Sequence, residues 1–431
     1  MGKWFGSEIS ASTSFEVKAI FVLTGLLFAQ AVASAKENWP RFRGNNGDGT
    51  ADCQIPSEWK KKNFRWSLPL EESGHGSPAV WGNRVFLNAS AKKGKTRTIL
   101  CADARSGEIE WIRSYASKTH RTHRYNSFAS STPALDEKRV YSVWGHPSEL
   151  KASAHDHQGR LIWEKDLGGV TGGHGFGVSP IVHQDLLIIP NDQEKGGGSH
   201  YALDCKTGAI RWQVPRASKR LTYSTPCVFT SPMGEHELIF TNWWLGFTSL
   251  APQTGKQLWE LSVFGRPHSE RAISSPIVAG DLVLGVCGFT TLDKHLVAIR
   301  PASASGDGQA QEIWRMEETM PHIPTPLLST NRLYLSADNG VITCLRPQTD
   351  KRVWKARVQG VQDTFFGSPV LAGDTVFCVS AYGQVVAIAD DEEFRQLGTT
   401  NLGELCRSTP ALANGDLYLR TGERLLCVRG L

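Results

Sequence analysis

The chain has 431 residues, 40% of them hydrophobic, and carries 47 Lys and Arg against 42 Asp and Glu for a net charge of +5. That balance, with no basic stripe interleaved with aromatics, argues against nucleic-acid binding, and the run Lys60-Lys-Lys62 reads as a solvated strand edge. The nine cysteines include no Cys-x-x-Cys, Cys-Cys or Cys-x-x-Cys-His pair, which weighs against zinc ribbons, dithiol redox sites and attached haem, and no P-loop, dinucleotide fingerprint or Gly-x-Ser-x-Gly elbow is present.

In chain order, residues Ala19 to Ala33 form an apolar run preceded by Lys18 and followed by Ala33-Ser-Ala35, the pattern of a secretory signal cleaved after Ala35. The run is short for a bilayer span. Residues 36–63 read as an irregular segment in which Asn45-Asn-Gly-Asp-Gly49 is a turn and Cys53 the best candidate for an odd thiol. Asn63-Phe-Arg-Trp66-Ser-Leu-Pro-Leu70 then reads as a strand over residues 64–70.

From there a Ser/Thr-Pro step recurs eight times, at Ser77, Thr132, Ser179, Thr225, Ser275, Thr325, Ser368 and Thr409, at intervals of roughly 41 to 55 residues. Each step opens an alternating strand, a Gly/Asn/Asp turn and a second alternating strand, as in Ser275-Pro-Ile-Val-Ala-Gly-Asp-Leu-Val-Leu-Gly-Val286. A third strand (Thr98-Ile-Leu-Cys-Ala-Asp103, His200-Tyr-Ala-Leu-Asp204, Val341-Ile-Thr-Cys-Leu345) runs through a Gly-containing turn into a fourth. The fourth carries Trp111, Trp163, Trp212, Trp259, Trp314 or Trp354. Four strands per copy make a propeller blade, and the tryptophans, with Trp66, are expected to dock each blade on the next. The seventh copy has no such tryptophan and Leu397 is expected in its place; the eighth stops at Leu431 after three strands. The expected fold is therefore all-β: an eight-bladed propeller over residues 64–431, four antiparallel strands per blade, closed by the N-terminal strand 64–70 as the fourth strand of blade eight.

The segments Ala102-Asp103-x-x-Ser106-Gly107-Glu108-x-x-Trp111 and Leu203-Asp204-x-x-Thr207-Gly208-x-x-x-Trp212 resemble the tryptophan-docking repeat of the pyrroloquinoline quinone (PQQ) dehydrogenases. Trp39-Pro-Arg-Phe-Arg-Gly44, Asn126-Ser-Phe-Ala-Ser-Ser-Thr-Pro133 and Phe366-Gly-Ser-Pro369 resemble secreted PQQ-like propellers of planctomycete-type bacteria. The same repeat is used by a scaffold of outer-membrane protein assembly that holds no quinone. The resemblance implies the propeller. For a dehydrogenase it would also imply a vicinal Cys-Cys disulfide over the quinone, Glu, Asn and Asp oxygens around calcium or a lanthanide, and an Asp base; this chain has no Cys-Cys and no acidic trio at matching positions, so no catalytic residue is carried over.

In a propeller the links between blades border the channel mouth. Here they hold His75; His120, His123, Arg124 and Asn126; His174; Arg220 and Tyr223; Glu270 and Arg271; His322; Asp363; and Arg407. His75, His123, Asn126, His174, Arg271, His322 and Asp363 are the candidate ligand-binding set, a funnel suited to an anion or, through Asp363 and the histidines, to a metal whose identity is unknown. His155-Asp-His157 puts two imidazoles on one strand face but lies where packing is the ordinary role, and Trp243-Trp244 reads as packing or as a sugar platform. The reading that results is an exported, monomeric, non-enzymatic propeller without a cofactor, in periplasm or outside the cell, that binds or scaffolds an envelope protein. The alternatives are an alcohol or sugar oxidoreductase using PQQ with calcium or a lanthanide, and a carbohydrate-binding accessory protein.

Overall fold

The computed structural model describes residues 1, 38–194, 196–264, 271–289, 294–361 and 364–431; the expected signal over residues 1–35, Glu270 and Asp363 lie outside the described residues, save Met1. These residues form eight antiparallel four-stranded sheets arranged as blades. Blade one, for example, runs Ala79–Trp81, Arg84–Ala89, Thr96–Asp103 and Ile109–Ala116. The two middle strands of a blade bury both faces between neighbouring blades, so Leu186–Ile189 and Gly246–Leu250 are buried throughout, whereas an outer strand such as Ile109–Ala116 alternates with solvent. Phe64–Pro69 pairs antiparallel with Arg424–Val428 and supplies the fourth strand of blade eight.

Each Ser/Thr-Pro step does more than open a strand. Proline bars the preceding residue from helical backbone and brings no N–H of its own, leaving the Ser or Thr N–H to find an acceptor. It donates to the side-chain hydroxyl of the equivalent residue one blade on. Ser77 donates to Thr132 (2.9 Å), Thr132 to Ser179 (3.0 Å), Thr225 to Ser275 (2.9 Å), Ser275 to Thr325 (3.0 Å), Thr325 to Ser368 (3.0 Å), Ser368 to Thr409 (3.0 Å), and Thr409 back to Ser77 (2.9 Å). All eight residues are buried. Seven of the eight steps, all but Ser179 to Thr225, are thus joined in a belt of hydroxyls around the channel.

At the circumference the tryptophans lie on the turn of the following blade. A Cβ built on Gly159 would fall 2.6 Å from Trp111, on Gly208 2.6 Å from Trp163 and on Gly255 2.7 Å from Trp212, so these turns require glycine for space as well as for their positive φ. The indole N–H groups donate to the same turns, Trp111 to the carbonyl of His157 (2.9 Å) and Trp212 to that of Pro252 (2.7 Å). Trp66 in the closing strand repeats the contact against blade one, donating to the carbonyl of Ala104 at 3.0 Å with its ring against Gly107. Trp163, Trp314 and Trp354 donate to the carbonyls of Cys205, Pro347 and Asp391. Trp259 differs: its ring packs in the cluster spanning blades four and five, but its N–H goes to Glu237 of its own blade at 2.7 Å.

Blade seven corrects one expectation. The tryptophan position, opposite Ala202 in blade three and Cys344 in blade six, is held in blade seven by Gly398 opposite Ala387; Leu397 is the bulged residue beside it. A side chain cannot stand there because residues 57–58 of the N-terminal segment cross the strand: a Cβ on Gly398 would fall 2.6 Å from the Ser57 carbonyl oxygen. Trp59 brings the missing indole from that segment, packing against Phe377 at 6.0 Å with its backbone N–H on the Thr400 hydroxyl at 2.7 Å.

The segment ahead of the closing strand is ordered by the channel. Thr50–Ala51 adds a parallel strand inside blade seven, Trp39 bridges to Val80 of blade one, and Asn46 exchanges two hydrogen bonds with the Val228 backbone of blade four. The Arg43 guanidinium, fully buried, donates to the carbonyls of Pro369 (2.7 Å) and Pro326 (2.9 Å), and Arg41 donates to that of Pro226 (2.8 Å). These are prolines of the Ser/Thr-Pro steps, so three of the eight proline carbonyls are taken by two arginines lying across the channel.

The belt makes a direct prediction. Thr409→Val keeps the shape but removes the acceptor of the buried Ser368 N–H, and is expected to cost about 1–3 kcal/mol of unfolding free energy in a urea titration. Thr409→Ser, which keeps the hydroxyl, should stay close to the parent protein.

Candidate functional site

Between the belt and solvent the channel widens into a cavity of about 350 Å³. All eight belt residues line its wall, and Phe42, from the segment that crosses the channel, lines it too; with Arg41 and Arg43 seated among the proline carbonyls beside it, Phe42 forms a floor. The cavity is therefore entered from one face, the face of the interblade links.

Six of the sequence candidates, His75, His123, Asn126, His174, Arg271 and His322, meet in this wall. Asp363 lies outside the described residues. Tyr223 and Arg407 join the six, as do groups that sequence reasoning missed: Tyr125, Phe289, Asp338 and Phe366. Tyr125 and Phe366 stand in links already singled out, where they are not among the candidate residues. Asp338 lies between the second and third strands of blade six, in what reads as an ordinary hairpin turn. His120 stands apart, edge-on to Phe128 and His146.

The wall is cross-braced between blades. Asn126 donates to the carbonyls of His174 (2.8 Å) and Phe176 (3.1 Å) and accepts from the Ser130 hydroxyl (2.5 Å), fixing two links to each other. The His123 and His174 rings stack at 4.8 Å. Arg271 donates to Glu194 at 2.9 Å and, at 3.3 Å, to Nδ1 of His174. Burial would raise the Glu194 carboxyl, but the hydrogen bond and charge of Arg271 hold it below its ordinary value. Lys294 is paired with Asp338, which also accepts from the His322 N–H.

All four imidazoles are held neutral. Burial, helped by the Arg407 and Arg420 charges, pushes His75 down to about 3; burial pushes His322 down to about 4, and His123 and His174 are lowered by burial and the nearby arginines. Nδ1 of His75, Nδ1 of His322 and Nε of Arg407 are buried without a hydrogen-bond partner among the described residues. Arg271 and Lys294 each face a carboxylate, whereas Arg407 has none among the described residues: its guanidinium lies 5.2 Å from the Tyr125 and Phe366 ring centroids and donates to the Arg124 carbonyl at 3.0 Å. The cavity can therefore take a ligand with an apolar body and an acidic group.

The other motifs resolve as packing. His155 is buried with Nε2 2.6 Å from the Tyr115 hydroxyl, and His157 packs on Phe86. Trp243 is buried; Trp244 is partly exposed, with the Lys219 ammonium 3.2 Å from its ring centroid. All nine cysteines are free thiols and none lines the cavity. The quinone-and-cation arrangement implied by the dehydrogenase resemblance finds no matching set among the described residues. Among the described residues no sulfur faces the cavity, Glu194 and Asp338 are committed to Arg271 and Lys294, and no group of three or more His, Cys, Asp or Glu is placed to hold a cation.

The neutral histidines set a pH dependence. Their folded-state pKa values lie below the unfolded value of about 6.5, so the unfolded chain binds more protons in acid; their stabilisation is complete above that pH and is lost as pH falls towards about 4. Asp48, which burial pushes up to about 6, acts in the opposite sense. The urea midpoint is expected to fall between about pH 6.5 and 4, and less steeply in a His75→Gln, His322→Gln variant.

Comparison with known proteins places this geometry. The chain resembles quinohemoprotein alcohol dehydrogenase from Comamonas testosteroni over 93% of its length and 82% of that chain (TM-score 0.67, 15% identity). It resembles BamB from Moraxella catarrhalis over 84% of its length and 96% of that chain (TM-score 0.58, 13% identity). At such identities these likenesses establish the fold. A polyvinylalcohol dehydrogenase from Pseudomonas sp is 34% identical over 92 residues, a match that spans 21% of this chain and 14% of that enzyme. The family profile described as outer membrane protein assembly factor BamB matches residues 95–356 and 304–429, and the chain, with its PQQ-like repeats, belongs to that family.

Proposed function

We propose that the protein is an exported, non-catalytic propeller that recognises an envelope protein through the face on which the cavity opens. The observation that carries this reading is the cavity itself: a rigid, blind recess built by links from around the ring, its histidines neutral and most of its charges already paired. A preformed apolar recess with a few fixed polar groups suits recognition. Family membership with an outer-membrane assembly factor supports a partner-binding role, and the apolar run Ala19 to Ala33 with Ala33-Ser-Ala35 supports export. Among the described residues no helix is long and apolar enough to cross a membrane. Fold likeness to dehydrogenases does not by itself carry their chemistry.

The test is photo-crosslinking in the native host with p-benzoylphenylalanine at position 125, on the cavity wall, or at position 162, exposed on the outer strand of blade two. A discrete protein adduct from position 125 alone is expected. Adducts from position 162 alone would move the interface to the circumference, and a saturable, calcium- or lanthanide-dependent thermal shift with PQQ, followed by dye-linked alcohol oxidation, would replace the proposal with the oxidoreductase.

A further inference from the structure

We infer that the cavity selects a carboxylate carried on an aromatic body, with Arg407 as the anchor of the acid; the inference rests on the cavity being the recognition site. Three observations lead to it. The first is charge: Arg271 and Lys294 are neutralised by Glu194 and Asp338, whereas Arg407 meets no carboxylate among the described residues. A guanidinium in this position offers a planar fork that matches a carboxylate, and its Nε is buried without an acceptor.

The second is the surroundings of that cation. Arg407 is held against the faces of Tyr125 and Phe366, whose own rings meet edge to face at 5.1 Å, and the Tyr125 ring in turn meets that of His123 at 5.2 Å, which stacks on His174. Imidazoles kept neutral present flat, weakly polar faces, so a ring entering with its acid on Arg407 meets a continuous run of aromatic surface. The third is size: about 350 Å³ closed below by Phe42 admits a one- or two-ring acid and not a folded element. The same chemistry is carried by a free aromatic acid and by the terminal carboxylate of a partner chain ending in phenylalanine.

Isothermal titration of the mature protein separates these cases with two acid–amide pairs: 2-naphthoate against 2-naphthamide, and an acetylated hexapeptide ending in free phenylalanine against its C-terminal amide. The acid of at least one pair is expected to bind about 10- to 100-fold more tightly than its amide. Arg407→Gln is expected to abolish that preference, and Arg407→Lys to retain part of it, with urea midpoints near the parent value confirming that both fold. Tighter binding of the peptide acid assigns the ligand to a partner's C-terminus, and tighter binding of naphthoate to a free acid. Binding the acid should also raise the His75 pKa, read by NMR, because it places a negative charge beside a histidine that burial and, after it, the Arg407 charge hold down. Equal binding of acid and amide would overturn the Arg407 anchor while leaving the cavity as the recognition site. No binding of any probe would overturn the inference, and the crosslinking outcome at position 125 would then decide the broader reading separately.

Discussion

Eight blades can form a ring only if something at the centre relates each blade to the next at a fixed spacing, and here that role falls to the hydroxyl before each repeat's proline. The proline fixes extended backbone at the residue ahead of it, and that residue's own N–H is directed sideways to the next hydroxyl. Seven such bonds, from 2.9 to 3.0 Å, link seven of the eight steps around the channel, the step from Ser179 to Thr225 alone having none among the described residues. A ring of mutually paired groups tolerates no change of spacing at one blade without loss at its neighbour. The cavity rests on this belt, since the same residues are its wall.

The N-terminal segment performs three tasks with one stretch of chain. Phe64–Pro69 closes the ring, Trp59 stands in for the tryptophan that blade seven lacks, and residues 39–51 lie across the channel. Burying two guanidinium groups is costly, and desolvation lowers both Arg41 and Arg43 to about 10. The arrangement is stable because the acceptors are already fixed: proline carbonyls that the sheet ladders leave unpaired at the channel. The arginines and the Ser/Thr-Pro steps thus satisfy one another, and a through-channel becomes a recess.

Within that recess the electrostatics follow from which charges find partners. Two cations meet carboxylates, four imidazoles give up their protons to burial, and one guanidinium is left between aromatic rings. The site consequently has little polarity except at one edge, which gives it direction.

The eight Ser/Thr-Pro steps, the two-residue periodicity and the tryptophan spacing were enough by themselves to specify blade number, strand count and ring closure, because each is local and recurs from blade to blade. Repetition also marked the links as the channel mouth, which is why His75, His123, Asn126, His174, Arg271 and His322 were legible as one set. What the repeat could not reveal lay where the pattern breaks or where chain segments distant in sequence meet. Leu397 looked like a substitute for tryptophan, but the place belongs to Gly398 because residues 57–59 cross above it. Residues 36–63 read as irregular, since their order comes from carbonyls of blades four, six and seven rather than from any periodicity of their own. Asp338 and Glu194 acquired their meaning only on meeting Lys294 and Arg271, and Arg407 acquired its meaning from having no such partner among the described residues; charge pairing across blades is a property of the closed ring, and only the tertiary structure decides it.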